Sequence, residues 1–188
     1  MPVERLLTPH PATLPLEVFE TVVDFRFQRR SGPGGQHRNK VSTGAFATHT
    51  PTGVVGEGTE TRSRETNRKR AIERLRMRLA IAYRTRSPID ARGSGPEPNE
   101  SLPVVAPETD VRDEATRRGL RIAEGTWLDA ATVAMLLNDM HAAGGQPSIV
   151  ARHWSISTSR ILRHLRRQAA AWQYLQTIRM HHGRRSLG

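Results

Sequence analysis

Thr21-Val22-Val23-Asp24-Phe25-Arg26-Phe27-Gln28, followed directly by Arg29-Arg30-Ser31-Gly32-Pro33-Gly34-Gly35-Gln36-His37-Arg38-Asn39-Lys40, decides how this chain is built. In the first half Val23, Phe25 and Phe27 alternate with Asp24, Arg26 and Gln28, the two-residue period of a half-buried strand. The second half ends that strand, because Ser31-Gly32-Pro33-Gly34-Gly35 can continue no regular element. A second strand is expected from Thr43 to Thr50, a tight turn at Pro51-Thr52-Gly53, and a third strand from Val54 to about Thr59. The expectation is a small antiparallel sheet with a long loop between its first two strands.

Working outward, Leu14 to Glu20 reads as one short helical turn with Pro15 near its start. A helix is expected from Ser63, a good N-cap, to about Thr85. Ile72, Leu75, Leu79, Ala82 and Tyr83 make its apolar stripe, and Arg68, Lys69, Arg70, Arg74, Arg76 and Arg78 mostly cover the rest. Residues 87–107 hold five prolines and several Gly and Ser, the composition of a linker. Beyond it, helical patterns cover Leu128 to Ala143, Pro147 to His153 and Ser157 to about Met180, before a basic tail, 181–188, expected to be mobile. The fold class expected is α+β: a small antiparallel sheet with a helix against it and an extended loop, then a small helical region. The expected divisions are 14–86, 87–107, 108–180 and 181–188.

The chain has 188 residues, 36% hydrophobic and 25% charged, the composition of a globular protein. It has no cysteine, which excludes a disulfide framework, a thiolate nucleophile and sulfur-ligated zinc. No apolar run approaches the ~20 residues of a membrane span, and the N-terminus suits neither a secretory signal nor an Arg-rich transit peptide. A soluble cytoplasmic protein with no membrane partner is therefore expected. The net charge is +11, which points to an anionic partner, most often nucleic acid. Two basic blocks, +11 over residues 26–86 and +8 over 151–188, flank an acidic one of −5 over 87–150. Lys40 and Lys69 are the only lysines. Arginine forks and stacks where lysine only attracts, which suits folded RNA, although a GC-rich codon bias explains the excess equally well.

Three glycines in four positions give the Gly32–Gly35 backbone access to positive φ, closed to other residues at roughly 1–2 kcal/mol each. Such a loop suits a backbone that must approach something closely. Gln36 follows with an amide that donates and accepts but cannot exchange protons, so it is neither general base nor nucleophile. Its role is positional: shaping a pocket, placing a water, or presenting its main-chain N–H to developing negative charge. A phosphate-cradling P-loop does not fit, because GxxxxGK[ST] is absent and no helix follows the glycines. A plain hairpin loop whose Gly and Asn merely make turns remains the alternative on composition alone.

Ser31-Gly32-Pro33-Gly34-Gly35-Gln36-His37, Asn39-Lys40, Thr50-Pro51-Thr52-Gly53-Val54, Arg62-Ser63 and Asn67, in that order, resemble the catalytic domain of bacterial peptide-chain release factors over about residues 18–85. The resemblance implies that Gly34, Gly35 and Gln36 are catalytic. They would enter the peptidyl-transferase centre of the large-subunit (23S) ribosomal RNA and promote hydrolysis of the peptidyl-tRNA ester. It also implies that the Gln36 main-chain N–H stabilises the transition state, that its side chain admits water, and that a glutamine methyltransferase modifies it at N5. Arg29, Arg30, Ser31, His37, Arg38, Asn39, Lys40, Arg62, Ser63 and Asn67 are the RNA-binding residues implied. Arg38 stands where many relatives have a small apolar residue. Full release factors carry a further stop-codon-reading domain, so the likeness is to the small codon-independent rescue members. A monomer partnered by the ribosome is expected.

Pro147 to Arg167 has the look of a helix-turn-helix, with Val150 and Ala151 in the first helix and Ser155 to Ser157 in the turn. Arg160, Arg163, Arg166 and Arg167 lie on the second helix, with Ile161, Leu162 and Leu165 inward. Arg163, Arg166 and Arg167 are expected to dock on RNA phosphates without base readout. A non-enzymatic RNA- or DNA-binding protein using these helices is the alternative function. A second Gly-Gly-Gln, Gly144-Gly145-Gln146, lacks the basic flanks and follows a helix, where Gly is the usual C-cap. No cofactor or metal is called for; His181-His182 would bind metal only adventitiously.

Overall fold

The computed structural model describes residues 5–28, 43–89 and 108–188. After a single turn of 3-10 helix at Pro11–Thr13 come α1 (Leu16–Glu20), β1 (Val23–Gln28), β2 (Gly44–His49), β3 (Val55–Gly58) and α2 (Arg64–Ala82). Five further helices complete the chain: α3 (Glu108–Arg117), α4 (Trp127–Ala142), α5 (Pro147–His153), α6 (Thr158–Arg166) and α7 (Ala169–His181). The fold is α+β.

The three strands form one antiparallel sheet in the order β1-β2-β3. Val23 faces His49 and Gln28 faces Gly44, while on the other side of β2 Ala45 faces Gly58 and Thr48 faces Val55. The alternation in β1 is realised: Val23, Phe25 and Phe27 are half-buried and Asp24, Arg26 and Gln28 exposed. The inward face of β2 carries only Ala45 and Ala47 besides His49. Small residues suffice there because α2 lies almost on the sheet. A Cβ on Gly56 would stand 2.1 Å from the Ala71 carbonyl oxygen, and one on Gly58 2.0 Å from that of Asn67. Only hydrogen side chains permit this approach.

Two hydrophobic cores share α2. Ala71, Ile72, Leu75 and Leu79 close on the sheet with Leu14, Phe19 and Tyr83. Leu75 and Leu79 are fully buried, each worth about 1.5–3 kcal/mol against exposure. Ala80, with Met77 and Ile81 partly buried beside it, belongs instead to a core formed with α3–α7. Its centre is α4, apolar on nearly every side and buried from Leu128 to Met140, as a central helix must be.

Polar groups pin the junction. Thr85 N–H donates to Asn138 Oδ1 at 3.2 Å, and Asn138 Nδ2 returns a bond to Thr85 Oγ1 at 2.6 Å. Asp139 accepts from Ser87 Oγ and from Trp154 Nε1, both at 2.6 Å, with Arg112 at 3.6 Å. Most of the expected linker, residues 90–107, lies outside the described residues. Its first residues, Ser87 to Ile89, are held by these contacts, Ile89 lying against the helical core.

Several expectations are corrected. Arg76, expected on the solvent face of α2, is buried, because residues 11–20 cross over it. Its guanidinium donates to the carbonyls of Ala12 at 3.0 Å and Leu14 at 2.7 Å and lies 4.1 Å from the Phe19 ring centroid. Ala82, assigned to the stripe, is exposed in the last turn of α2, which ends before Tyr83. Helix α3 was not foreseen, since only Val111 and Ala115 of it are buried. The segment Ser157 to Met180 is two helices, broken at Arg167-Gln168, so that α7 turns back onto α4. Leu162 is only half-buried. Within the tail 181–188, expected to be mobile, residues 184 and 187 are held: Leu187 exchanges two hydrogen bonds with the Gln176 side chain, and Arg184 Nε donates to Gly144 O at 2.7 Å. Among the described residues no helix is long and apolar enough to cross a membrane.

Candidate functional site

Arg29, Arg30, Ser31, Gly34, Gly35, Gln36, His37, Arg38, Asn39 and Lys40 all lie outside the described residues. The structure shows the platform from which their segment departs. Its flanking residues, Gln28 and Thr43, stand side by side, because Gln28 pairs with Gly44 across β1 and β2. The strands on either side of that segment, β1 and β2, are therefore antiparallel neighbours whose adjoining ends meet at one end of the sheet.

Asn67, expected to touch RNA, is fully buried at that end. Its Nδ2 donates to the carbonyls of Thr43 and Thr61, each at 2.8 Å, while its Oδ1 accepts from Thr61 N–H at 3.0 Å and Thr61 Oγ1 at 2.9 Å. Both donors and the acceptor are engaged, so the amide ties the base of the connection to α2 and leaves nothing for a ligand. Ser63 caps α2, its Oγ accepting from Thr66 N–H at 3.2 Å. Arg62 beside it is exposed.

The charge on α2 is partly matched from within. Arg74 is bonded to Glu60 and, at 2.7 Å, to the Glu57 carbonyl, which holds the Glu60 carboxyl down to about 2. Arg68 meets Glu20 at 2.8 Å while lying over Phe25. By contrast Arg62, Arg64 and Lys69 make no salt bridge among the described residues. Arg64 stacks 3.6 Å above the ring of Phe27, the next-to-last residue of β1. The sequence reading passed over Arg64; the usable signal was its place on the first turn of α2, directly after the cap.

In the C-terminal block Arg163 is exposed, Arg166 lies 4.5 Å from the Trp172 centroid, and Arg167 is held by Glu124 at 2.9 Å and Asp129 at 3.6 Å. The α5–α6 pair is joined by a turn in which Ser155 has φ of 51° and Ile156 is buried. Gly144 and Gly145 have φ of 59° and 71°, and Gly145 N–H closes the end of α4 on Met140 O at 2.7 Å, so this second Gly-Gly-Gln is a helix C-cap. Among the described residues no group of three or more His, Asp or Glu is arranged to hold a metal.

Known proteins match over this platform. A family model described as RF-1 domain matches residues 12–100, from the first helical turn through the sheet and α2. A zebrafish (Danio rerio) mitochondrial translation release factor in rescue is 48% identical over 67 residues, 36% of this chain and 43% of that protein. A chloroplast peptide chain release factor of Arabidopsis thaliana is 44% identical over 66 residues, 35% of this chain and 14% of its own length. Peptide chain release factor 1 of Lactiplantibacillus plantarum is 47% identical over 58 residues, 31% of this chain and 16% of its own. The match thus spans less than half of each relative, and α3–α7 lie outside the segment that the family model matches. No solved structure matches the chain. Residues 12–100 are thus similar to the RF-1 domain, the part of the chain that these peptide-chain release factors share.

Proposed function

We propose that this protein promotes hydrolysis of the peptidyl-tRNA ester in the peptidyl-transferase centre of the ribosome, independently of a stop codon, as a rescue factor for stalled ribosomes. Gly34, Gly35 and Gln36 carry the chemistry together with ribosomal RNA. The glycine backbone lets the tip enter a crowded RNA pocket, and the Gln36 main-chain N–H donates to the oxyanion that forms as water attacks the ester carbonyl. The Gln36 side chain is neutral, so its part is to admit water and refuse larger nucleophiles rather than to move a proton. Arg62, Arg64 and Lys69 meet ribosomal RNA phosphates beside the hairpin base, and Gln36 is the residue a glutamine methyltransferase would modify.

The observation that supports this reading is that Asn67 of α2 donates to the carbonyls of Thr43, just before β2, and of Thr61, at the end of the sheet where the Gly-Gly-Gln segment of the sequence joins it. The codon-independent part draws on the likeness to the zebrafish rescue factor. The test is peptide release from ribosomes stalled on truncated message, compared with ribosomes paused at a stop codon. Release on the truncated message, lost in Gly35→Ala and Gln36→Ala, is expected. No release from either substrate would overturn the reading.

The helix-turn-helix of α5 and α6 supports a second reading, a nucleic-acid-binding protein without catalysis. It predicts that Gln36→Ala changes nothing while neutralising α6 abolishes binding. Point variants are needed for this comparison, because α2 shares its core with α4 and a truncation after residue 107 would expose Ala80 and Met77.

A further inference from the structure

A cleft of about 420 Å³ opens between the turn after α3 and α6, and four of its seven lining residues are arginines, Arg121, Arg160, Arg163 and Arg167, beside Gly119, Leu120 and His164. The backbone explains the convergence. Helix α3 stops at Arg117, and Gly119 and Leu120 both take left-handed conformations, φ 57° and 60°. For Leu120 this costs about 1–2 kcal/mol. Burial of the Leu120 side chain offsets that cost and turns the chain so that Arg121 comes beside α6. Arg160 and Arg163 stand one helical turn apart, and the Arg160 guanidinium lies against Gly119, whose added Cβ would be 3.1 Å from Nη1.

Among the described residues, acids balance only part of the charge there. Arg121, Arg160 and Arg163 form no salt bridge among the described residues. The two acids nearby, Glu124 and Asp129, both engage Arg167, at 2.9 and 3.6 Å. His164 does not contribute charge, since burial, with Arg167 beside it, holds its pKa down to about 4. The backbone offers no donor either: Gly119, Leu120 and Arg121 N–H groups are bonded to the carbonyls of Thr116, Ala115 and Arg118. Three planar forks therefore face one small open volume, the geometry that grips a tetrahedral oxyanion.

We propose that this cleft binds one phosphodiester group of a nucleic-acid strand, gripped by Arg121, Arg160 and Arg163, with Arg167 a fixed wall held by Glu124. A strand is favoured over a free ion by what adjoins the cleft. Arg166 stacked on Trp172 offers a flat cationic and aromatic surface, and residues 151–188 hold eight arginines and no acid. The site stands apart from peptide release and would persist if Gln36 were inert.

The experiment measures affinity of the full chain for a short fluorescent single strand, RNA or DNA of the same sequence, across a salt series, with inorganic phosphate as competitor. Arg121→Gln/Arg160→Gln is compared with Arg152→Gln/Arg185→Gln, which removes the same charge from exposed positions outside the cleft. The cleft pair is expected to weaken binding about tenfold and to reduce the salt slope by about one phosphate. The outer pair should cost less than about threefold. Because both cleft arginines hold one group, the single variants should each lose nearly as much as the double. Arg121→Lys/Arg160→Lys should recover only part, since the fork is gone. Equal losses from the two pairs, additive single variants, or phosphate binding unaccompanied by any effect on a strand would overturn the proposal. A preference for RNA or for DNA identifies the source of the phosphodiester, and unchanged melting of the variants confirms that the exposed arginines were removed without unfolding.

Discussion

Asn67 donates its side-chain amide to the Thr43 carbonyl at 2.8 Å across 24 positions of sequence, joining the first turn of α2 to the residue on which the Gly-Gly-Gln connection ends. The same amide holds Thr61 through three further bonds. One buried side chain thereby ties Thr43, just before β2, to Thr61, just before the helix cap.

Asn67→Ala leaves the carbonyls of Thr43 and Thr61 and the N–H of Thr61 without partners. At about 1–3 kcal/mol for a buried unsatisfied group, a loss of roughly 2–4 kcal/mol is expected in denaturant unfolding. Asn67→Asp keeps the shape but sets a carboxylate oxygen that can only accept against the carbonyls of Thr43 and Thr61 in a fully buried site, so it should cost at least as much. If Asn67→Ala unfolds like the wild type, the clamp is not what orders the hairpin base.

Gly58→Ala tests the approach of α2 to the sheet. Its methyl group would meet the Asn67 carbonyl at 2.0 Å, with backbone rather than a flexible side chain in the way. Overcrowding of this kind costs about 1–3 kcal/mol or more, and here it displaces Asn67 itself. A lowered melting temperature with impaired release is expected, whereas Gly53→Ala, with open space around it but φ of 70°, should cost only the backbone strain of about 1–2 kcal/mol.

Asp139→Ala removes the acceptor of Trp154 Nε1 and Ser87 Oγ and strands Arg112, which is nearly buried and lies over Trp154. Breaking a buried pair by deleting one partner costs about 3–5 kcal/mol. Asp139→Asn should lose less, since one amide oxygen still accepts. Denaturant unfolding followed by Trp fluorescence measures both.

Acid should destabilise the fold through its buried histidines. His10 is held down to about 3, chiefly by burial and then by the charge of Arg84, and His164 down to about 4. With the folded pKa below the unfolded value of about 6.5, the unfolded chain binds the proton first. Stability is then full above about pH 6.5 and falls with acidification until the folded pKa values are reached. Glu108 and Asp129 act oppositely, because burial raises their pKa and protonation relieves them in the fold. The difference between wild type and His10→Asn isolates one histidine: the variant should lose less stability between pH 6.5 and 4. An identical pH profile for the two proteins would contradict the assignment.

How much could be read in advance follows from the range of the forces involved. The alternation of Val23, Phe25 and Phe27, the turn at Pro51-Thr52-Gly53 and the Ser63 cap are local, since each is decided by residues within a few positions. Strand order, the start of α2 and the ordered motif resembling release factors were legible for that reason. Arg76 was not, because nothing within its own helix says that Ala12 and Leu14, more than sixty positions away, will cover it with carbonyls. Nor was Asn67 legible as a clamp: a motif marks a residue as needed without saying whether it faces outward.

Sequence alone determined the sheet, its long first connection, the neutral amide on a glycine backbone and the two basic blocks, all properties of neighbours or of composition. Tertiary contact alone decided that α2 has two buried faces, that Ala82 is exposed, that α7 turns back on α4, and that Arg121 meets Arg160 and Arg163 around one cleft. Periodicity reports how much of a helix is covered; the partner that covers it is set by chain segments distant in sequence.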